Sequence, residues 1–216
     1  RPGQFVNIEL EGLYLRRPIS ICDWDDKTIT IIYKVVGKGT EQMSQMQPGV
    51  ELDVLTGLGN GFNPEPAVEN TKSLLVGGGV GVPPLYHLAK VLLDAGRKVS
   101  VVLGFNTAAE VFYAEEFRAL GADVYVSTAD GSMGVKGFVT DAIREAAIDF
   151  DYFYSCGPLP MLKALCGCTD KPGELSFEER MGCGFGACMG CSCKTKYGNK
   201  RICKDGPVLL KEEIIW

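Results

Sequence analysis

The sequence has no apolar run close to the roughly 20 residues that a bilayer crossing needs, so no transmembrane helix is expected. It opens on RPGQFVNIEL, without the basic segment and long apolar stretch of a signal peptide. It also lacks an initiator Met, which suggests a fragment or a processed product. Basic residues are not in excess: 22 Lys and Arg against 27 Asp and Glu leave a net charge of -5. That balance gives no electrostatic reason to expect nucleic acid or an anionic membrane as a partner. Histidine is almost missing, and the single one, His87, lies within the apolar-striped PLYHLAK and reads as an ordinary helix residue. Nine cysteines, an odd number, exclude a fully paired disulfide framework within one chain. Cys22, Cys156, Cys166 and Cys168 are scattered, whereas Cys183, Cys188, Cys191, Cys193 and Cys203 crowd together. Without a secretory signal, such crowding favours metal ligation and a reducing, cytoplasmic setting.

Three zones differ in texture. Residues 1–70 read as all-β: Val6, Ile8 and Leu10 alternate with polar neighbours, TITIIYKVV at 28–36 is β-branched, and VELDVLT at 50–56 follows the Pro48-Gly49 turn. Short strands at this spacing suggest a small antiparallel barrel or sandwich. Residues 71–170 alternate strand and helix: KSLLVGGG, PPLYHLAKVLLDAG, KVSVVLGF, EVFYAEEFRALG, ADVYVST, GFVTDAIREAA, DYFYSCG and PLPMLKALC. That order predicts a doubly wound parallel sheet with helices on both faces, an α/β domain behind the all-β one. Residues 171–216 are glycine- and cysteine-rich and too short for a core of their own, so a bound cluster is expected to hold them together.

Four constellations carry chemistry. Cys183, Cys188 and Cys191 follow C-x4-C-x2-C, the plant-type ferredoxin spacing, and Cys203 offers a distant fourth thiolate, together a ligand set for a [2Fe-2S] cluster. Gly182, Gly184, Gly186 and Gly190 let the loop curl with its amides toward the sulfurs. A structural zinc site is the bland alternative, but zinc loops usually present paired C-x2-C knuckles. Cys193 falls outside the spacing and reads as a non-ligand, with a swap between Cys191 and Cys193 left open. In VGGGVGVPP, Gly77, Gly78, Gly79 and Gly81 end the first strand of the α/β zone and allow a pyrophosphate to approach the backbone. Cys156-Gly157-Pro158 ends the fourth strand of that zone, on the edge where open α/β sheets bind ligands. Arg17-Pro18-Ile19-Ser20 pairs an arginine with a hydroxyl, a combination able to hold a phosphate and a flavin edge, although taken alone it reads as a strand preceded by a charge. Asp130, in a DG turn, could accept from a ribose hydroxyl, and no arginine cluster suited to a 2′-phosphate follows Gly104 or Thr128.

These four motifs, in this order, resemble the ferredoxin reductase-like flavoproteins. EERMGCGFGACMGC followed by CKDGPV resembles the iron-sulfur electron-transfer subunit of class B dihydroorotate dehydrogenase, a likeness that covers nearly the whole chain. The resemblance implies FAD bound by Arg17, Pro18, Ile19 and Ser20, with Ile32, Tyr33 and Lys34 on the next flavin-binding strand and Gly39 and Thr40 at the helix start beneath its pyrophosphate. It implies NAD(H) at Gly77 to Gly81 and at Cys156-Gly157-Pro158, where Asp130 and the missing arginine cluster favour NADH over NADPH, and a [2Fe-2S] cluster on Cys183, Cys188, Cys191 and Cys203. Members of that family begin with further barrel strands upstream of PGQFVNI, so 1–70 is expected to be a partial FAD-binding barrel. Residues 71–170 would be the NAD-binding domain and 171–216 the cluster module. The implied partner is an FMN-containing catalytic subunit in a heterotetramer. There dihydroorotate gives orotate in pyrimidine biosynthesis, and electrons pass through FMN, cluster and FAD to NAD+. Three other readings remain: an NAD(P)H-ferredoxin or hydrogenase-linked reductase subunit, a non-enzymatic redox sensor, and a zinc-stapled binding module.

Overall fold

The computed structural model describes residues 1–65 and 72–216, so the expected boundary at residue 70 lies outside the described residues. Its first sheet is antiparallel and four-stranded, in the order β3-β2-β1-β4, from β1 (Phe5–Ile8), β2 (Arg17–Trp24), β3 (Ile29–Ile31) and β4 (Val54–Leu58). Alternation sends Val6 and Ile8 into a small core with Leu10, Ile21 and Met43, the last from helix α1 (Lys38–Ser44). Phe5 and Asn7, on the opposite face of β1, are buried too. Bulges interrupt the β1–β4 and β2–β3 pairings and curl the sheet.

Two strands are shorter than the sequence pattern predicts. β3 ends at Ile31, leaving Ile32, Tyr33 and Lys34 outside the ladder. Beyond them the chain is already turning into α1, where the Thr40 hydroxyl accepts the N–H of Val36 at 2.9 Å. β4 begins at Val54 instead of Val50, and Val50 and Leu52 remain exposed.

The second sheet has seven strands in the order β13-β10-β9-β5-β6-β7-β8. β5 (Lys72–Gly78), β6 (Lys98–Phe105), β7 (Asp123–Thr128) and β9 (Tyr152–Cys156) are the four strands expected from the sequence, all parallel. A two-residue β8 (Val135–Lys136) extends the β7 edge. Helices α2 (Tyr86–Asp94), α3 (Ala114–Ala119), α4 (Val139–Glu145) and α5 (Leu159–Gly167) accompany them. Leu88, Ala89 and Leu92 form the buried stripe of α2. Its end is a glycine cap, with Gly96 at φ 75 and the Arg97 N–H returning to the Leu92 carbonyl. The α3 segment is shorter than expected, because Tyr113 at φ 64 breaks the helical path ahead of Ala114.

The cysteine-rich segment is less independent than the sequence suggests. β10 (Gly173–Ser176) pairs parallel with β9, and β13 (Val208–Leu210) closes that edge antiparallel, so both belong to the α/β sheet. Leu175, Cys191, Ile202, Cys203 and Leu209 share one core with Leu74, Phe153 and the barrel's Phe5. A cluster is therefore not the sole support of this segment. Its remaining strands, β11 (Ser192–Thr195) and β12 (Gly198–Arg201), form a hairpin. No described helix is long and apolar enough to cross a membrane.

Glu174 on β10 is 3% exposed. Its carboxylate accepts the Asn63 N–H at 2.9 Å and the Tyr152 hydroxyl at 3.2 Å. Burial outweighs these donors and pushes its pKa up from the usual 4.5 to about 7. The fold thus favours the neutral acid. The resulting stabilisation is complete below about pH 4.5 and is lost as pH rises through about 7. Glu174→Gln is expected to remove this dependence and to exceed the native chain in stability at about pH 8, by about 3 kcal/mol. Melting curves of both proteins across that range check it.

Candidate functional site

The glycine run and the CGP motif meet in space. β5 and β9 are neighbours with Gly77 opposite Cys156, and the chain moves to one side of β5 through β6 and to the other through β9. This is the switch point of the sheet, where the carboxyl ends of the strands open a crevice. A cavity of about 400 Å³ occupies it, with Gly78, Gly79, Phe105, Phe138, Pro158 and Met161 among its walls. Gly81 packs so closely that a Cβ there would stand 2.3 Å from the Cys156 carbonyl oxygen. Gly79, at φ 53, has open space where its side chain would be. Cys156 is buried, and desolvation pushes its thiol up to about 12.

Asp130 follows β7 and its carboxylate already accepts the N–H and hydroxyl of Ser132, at 2.9 and 2.6 Å. The sequence reading missed Glu110, which lines the cavity and accepts the N–H and the side-chain amide of Asn106 at 3.1 and 2.9 Å. The Asp130 N–H bonds the Asn106 carbonyl at 3.2 Å, so both acids belong to one rim. A carboxylate a few residues beyond the second parallel strand was the available signal.

On the barrel, Arg17 opens β2, with Pro18, Ile19 and Ser20 following it half-buried. The Arg17 guanidinium lies against the start of α1, where a Cβ on Gly39 would meet its Nε at 2.1 Å, and Thr40 stands one residue further on. Two expected flavin-binding segments are therefore brought together. Ile32 lines a broad cleft of about 1120 Å³ with Phe112, Tyr113 and Met133, while Tyr33 packs on the barrel core. Lys34 is exposed and has no side-chain partner among the described residues.

His87 is more than a helix residue. Its ring stacks on Trp24 at 3.4 Å and its Nδ1 lies 2.5 Å from Asp23, which also accepts Lys90 at 2.9 Å. This group ties α2 of the nucleotide domain to β2 of the barrel.

The cysteine loop leans on the barrel as well. The Asn7 side-chain amide donates to the Cys183 carbonyl at 3.3 Å, and Gly184, at φ 80, lets the loop pass Asn7 closely. The four expected ligands fall into two pairs, Cys183 with Cys188 and Cys191 with Cys203, each joined by a backbone N–H to sulfur bond. Cys191 and Cys203 are each 2% exposed, Cys188 is exposed and Cys183 half-buried. Ala187 and Cys188 donate backbone N–H groups to the Cys183 sulfur at 3.2 and 3.4 Å, and Cys203 donates to the Cys191 sulfur at 3.4 Å. Burial raises the Cys183 thiol, but the N–H groups of Cys188, Phe185 and Ala187 outweigh it and hold the pKa at about 6. Burial and the adjacent Cys191 push Cys203 up to about 12. Among the described residues, no three acidic, histidine or cysteine side chains converge on a single ion position. Two pairs of thiols fit two irons, with N–H donors already aimed at the sulfurs, so the loop suits a binuclear cluster. Cys193 points into the core from β11, and burial raises its thiol.

A curled antiparallel sheet, a parallel nucleotide sheet and a cysteine loop packed on both define a ferredoxin reductase-like oxidoreductase with an iron-sulfur segment. Family models agree: that of the oxidoreductase NAD-binding domain matches residues 75–167, and that of the iron-sulfur cluster binding domain of dihydroorotate dehydrogenase B matches 178–215. The electron transfer subunit of dihydroorotate dehydrogenase B (NAD(+)) from Fusobacterium nucleatum subsp. nucleatum is 49% identical, over 99% of this chain and 86% of its own. The Geobacillus kaustophilus subunit of the same name is 50% identical, over 100% and 87%. A solved structure of NADH-dependent reduced ferredoxin-NADP oxidoreductase superposes with a TM-score of 0.88 at 35% identity, covering 100% of this chain and 80% of that one. The chain belongs to the family of dihydroorotate dehydrogenase B electron transfer subunits.

Proposed function

We propose that this chain is the electron-transfer subunit of an NAD-dependent dihydroorotate dehydrogenase, carrying electrons from the FMN of a catalytic partner to NAD+. The observation that carries the reading is the seating of the cysteine loop on β1 through Asn7 and Cys183, beside the strand that bears Arg17 to Ser20. When bound, FAD converts between the electron pair of a nicotinamide and the single electrons of an iron-sulfur cluster. Arg17 and Gly39-Thr40 would hold the FAD pyrophosphate, Pro18, Ile19 and Ser20 its ring, and Ile32, Tyr33 and Lys34 the far side of the same site. Gly77, Gly78, Gly79 and Gly81, with Cys156-Gly157-Pro158, would receive NAD(H), and Cys183, Cys188, Cys191 and Cys203 the cluster. The rim of Glu110 and Asp130 would accept ribose hydroxyls and repel a 2′-phosphate, favouring NADH. The partner is an FMN-containing subunit in a heterotetramer, and nine free cysteines accord with a reducing cytoplasm.

Anaerobic addition of NADH to the purified complex tests this. The flavin absorbance should bleach, and dihydroorotate should reduce NAD+ only when the catalytic subunit is present; an unbleached flavin overturns the reading. The 35% identity to the ferredoxin-NADP oxidoreductase structure supports a second reading, a ferredoxin-linked reductase. Co-purification with ferredoxin, without an FMN dehydrogenase, would select it.

Phe185 and Met189 stand 54% and 55% exposed on either side of Cys188, an apolar rim around the most accessible ligand. Phe185→Glu or Met189→Glu is expected to slow electron transfer to the partner about tenfold or more, because a charge must be desolvated on docking. NADH reduction of the flavin should keep its rate. Stopped-flow absorbance of each half-reaction measures both, and equal loss in the two would contradict a docking role.

A further inference from the structure

Arg201, the last residue of β12, is bound on every side. Its Nε and Nη2 donate to the two oxygens of Asp205 at 3.0 and 3.3 Å, and its backbone N–H also reaches Asp205 at 2.9 Å. Its carbonyl accepts the N–H groups of Lys204, Asp205 and Gly206. Asn60 of the barrel then pins this turn, donating to the carbonyls of Asp205 and Gly206 at 3.3 and 2.7 Å. So much fixing of one arginine calls for a reason.

The remaining donor shows what is being held. Arg201 Nη1 donates to the Gly186 carbonyl at 2.9 Å, inside the cysteine loop. The carbonyl of Gly186 and the N–H of Ala187 belong to one planar trans peptide and point in opposite directions. Drawing the carbonyl toward Arg201 turns the Ala187 N–H the other way, and there it meets the Cys183 sulfur at 3.2 Å. Arg201 also stands two residues before Cys203 in the chain. One side chain, at a strand end two residues before Cys203, therefore sets an N–H···S bond on the first pair of sulfurs.

Hydrogen bonds to sulfur and nearby charge are two of the means by which a protein sets the potential of an iron-sulfur cluster. We propose that Arg201 is a positioning residue for the cluster, aiming the Ala187 N–H at Cys183 and raising the cluster's reduction potential, with Asp205 as its holder and counter-charge. This rests on the reading that Cys183, Cys188, Cys191 and Cys203 bind a [2Fe-2S] cluster.

Redox titration of the complete complex, followed by the electron paramagnetic resonance of the reduced cluster, tests it. Arg201→Gln should disfavour reduction about tenfold, a fall of about 59 mV for a one-electron couple. Asp205→Asn removes the counter-charge and should move the potential upward. Opposite shifts are the signature, because loosened packing alone has no reason to change sign between the two variants. Unchanged potentials, or shifts in the same direction, overturn the proposal. If Arg201→Gln fails to retain iron, Arg201→Lys takes its place: it keeps the charge, loses the planar fork and should fall below the native potential while Asp205→Asn rises. A native complex without iron would instead defeat the cluster assignment itself, so the two failures are distinguishable.

Discussion

Cys191→Ser is expected to remove the cluster, cutting bound iron and visible absorbance by about tenfold or more, whereas Cys193→Ser should leave both at the native level. The two residues are two positions apart, with Ser192 between them, so the spacing alone left either available. Their surroundings differ. Cys191 is 2% exposed, lies against Cys203 and accepts that residue's N–H at 3.4 Å. Cys193 sits within β11 opposite Lys200, with its thiol raised by burial. A thiolate ligand needs a partner metal and N–H donors, and only the first cysteine has the setting for them. Loss of residues that merely support a ligand already costs 10- to 100-fold in metal affinity as a rough scale. Loss of the ligand itself should cost no less. Iron analysis on anaerobically purified variants decides it, and a cluster lost from Cys193→Ser would reverse the assignment.

Gly79→Ala and Gly81→Ala are expected to fail in different ways, although the residues are two apart in one motif. A Cβ on Gly81 would meet the Cys156 carbonyl oxygen at 2.3 Å, so the turn that follows β5 would have to move off the end of β9. Overpacking of this kind costs about 3 kcal/mol, or a fall of roughly 6–12 °C in Tm for a chain of this size. A Cβ on Gly79 meets nothing within 4 Å, but the backbone there has φ 53 and the new methyl would project at the nucleotide cavity. The strain is about 1 kcal/mol, and the loss should fall on the ligand, weakening NADH binding about tenfold or more. Calorimetry and NADH titration of the two variants separate the effects. Two similar losses of stability with unchanged NADH affinity would remove the glycine run from the nucleotide site.

Where the sequence was legible, one periodicity sufficed. β6 runs over Lys98–Phe105 and β7 over Asp123–Thr128, as KVSVVLGF and ADVYVST predict, because a buried parallel strand is a short continuous apolar run between turns. The barrel was legible in kind but not in extent. The end of β3 and the start of β4 depend on which neighbour supplies a ladder partner, and at Ile32 the chain leaves the ladder for α1. β10 and β13 were hidden for another reason: GELS and VLL are too short to show a pattern, and each is defined by its neighbour, β10 by β9 and β13 by β10. In the site, the glycine, CGP, RPIS and cysteine motifs announced themselves by composition. Glu110, Asn7 and Arg201 did not, since each acts through a contact distant in sequence or through the orientation of a single peptide. His87 could be read only as a helix residue until Asp23 and Trp24, far earlier in the chain, came to stand beside it.

The anchoring of the cysteine segment between β10 and β13 bears on how the protein matures. Both ends of the loop are fastened to the same sheet edge, and β1 supports it at the first cysteine through Asn7. Most of the chain entropy that ligand closure would otherwise cost has been spent by the time the sheet is complete. The thiols then face an incoming metal at high effective concentration, as tethered donors do. This anchoring favours folding ahead of metallation: a cluster would be received by a loop already held at both ends, with Cys188 its exposed thiol.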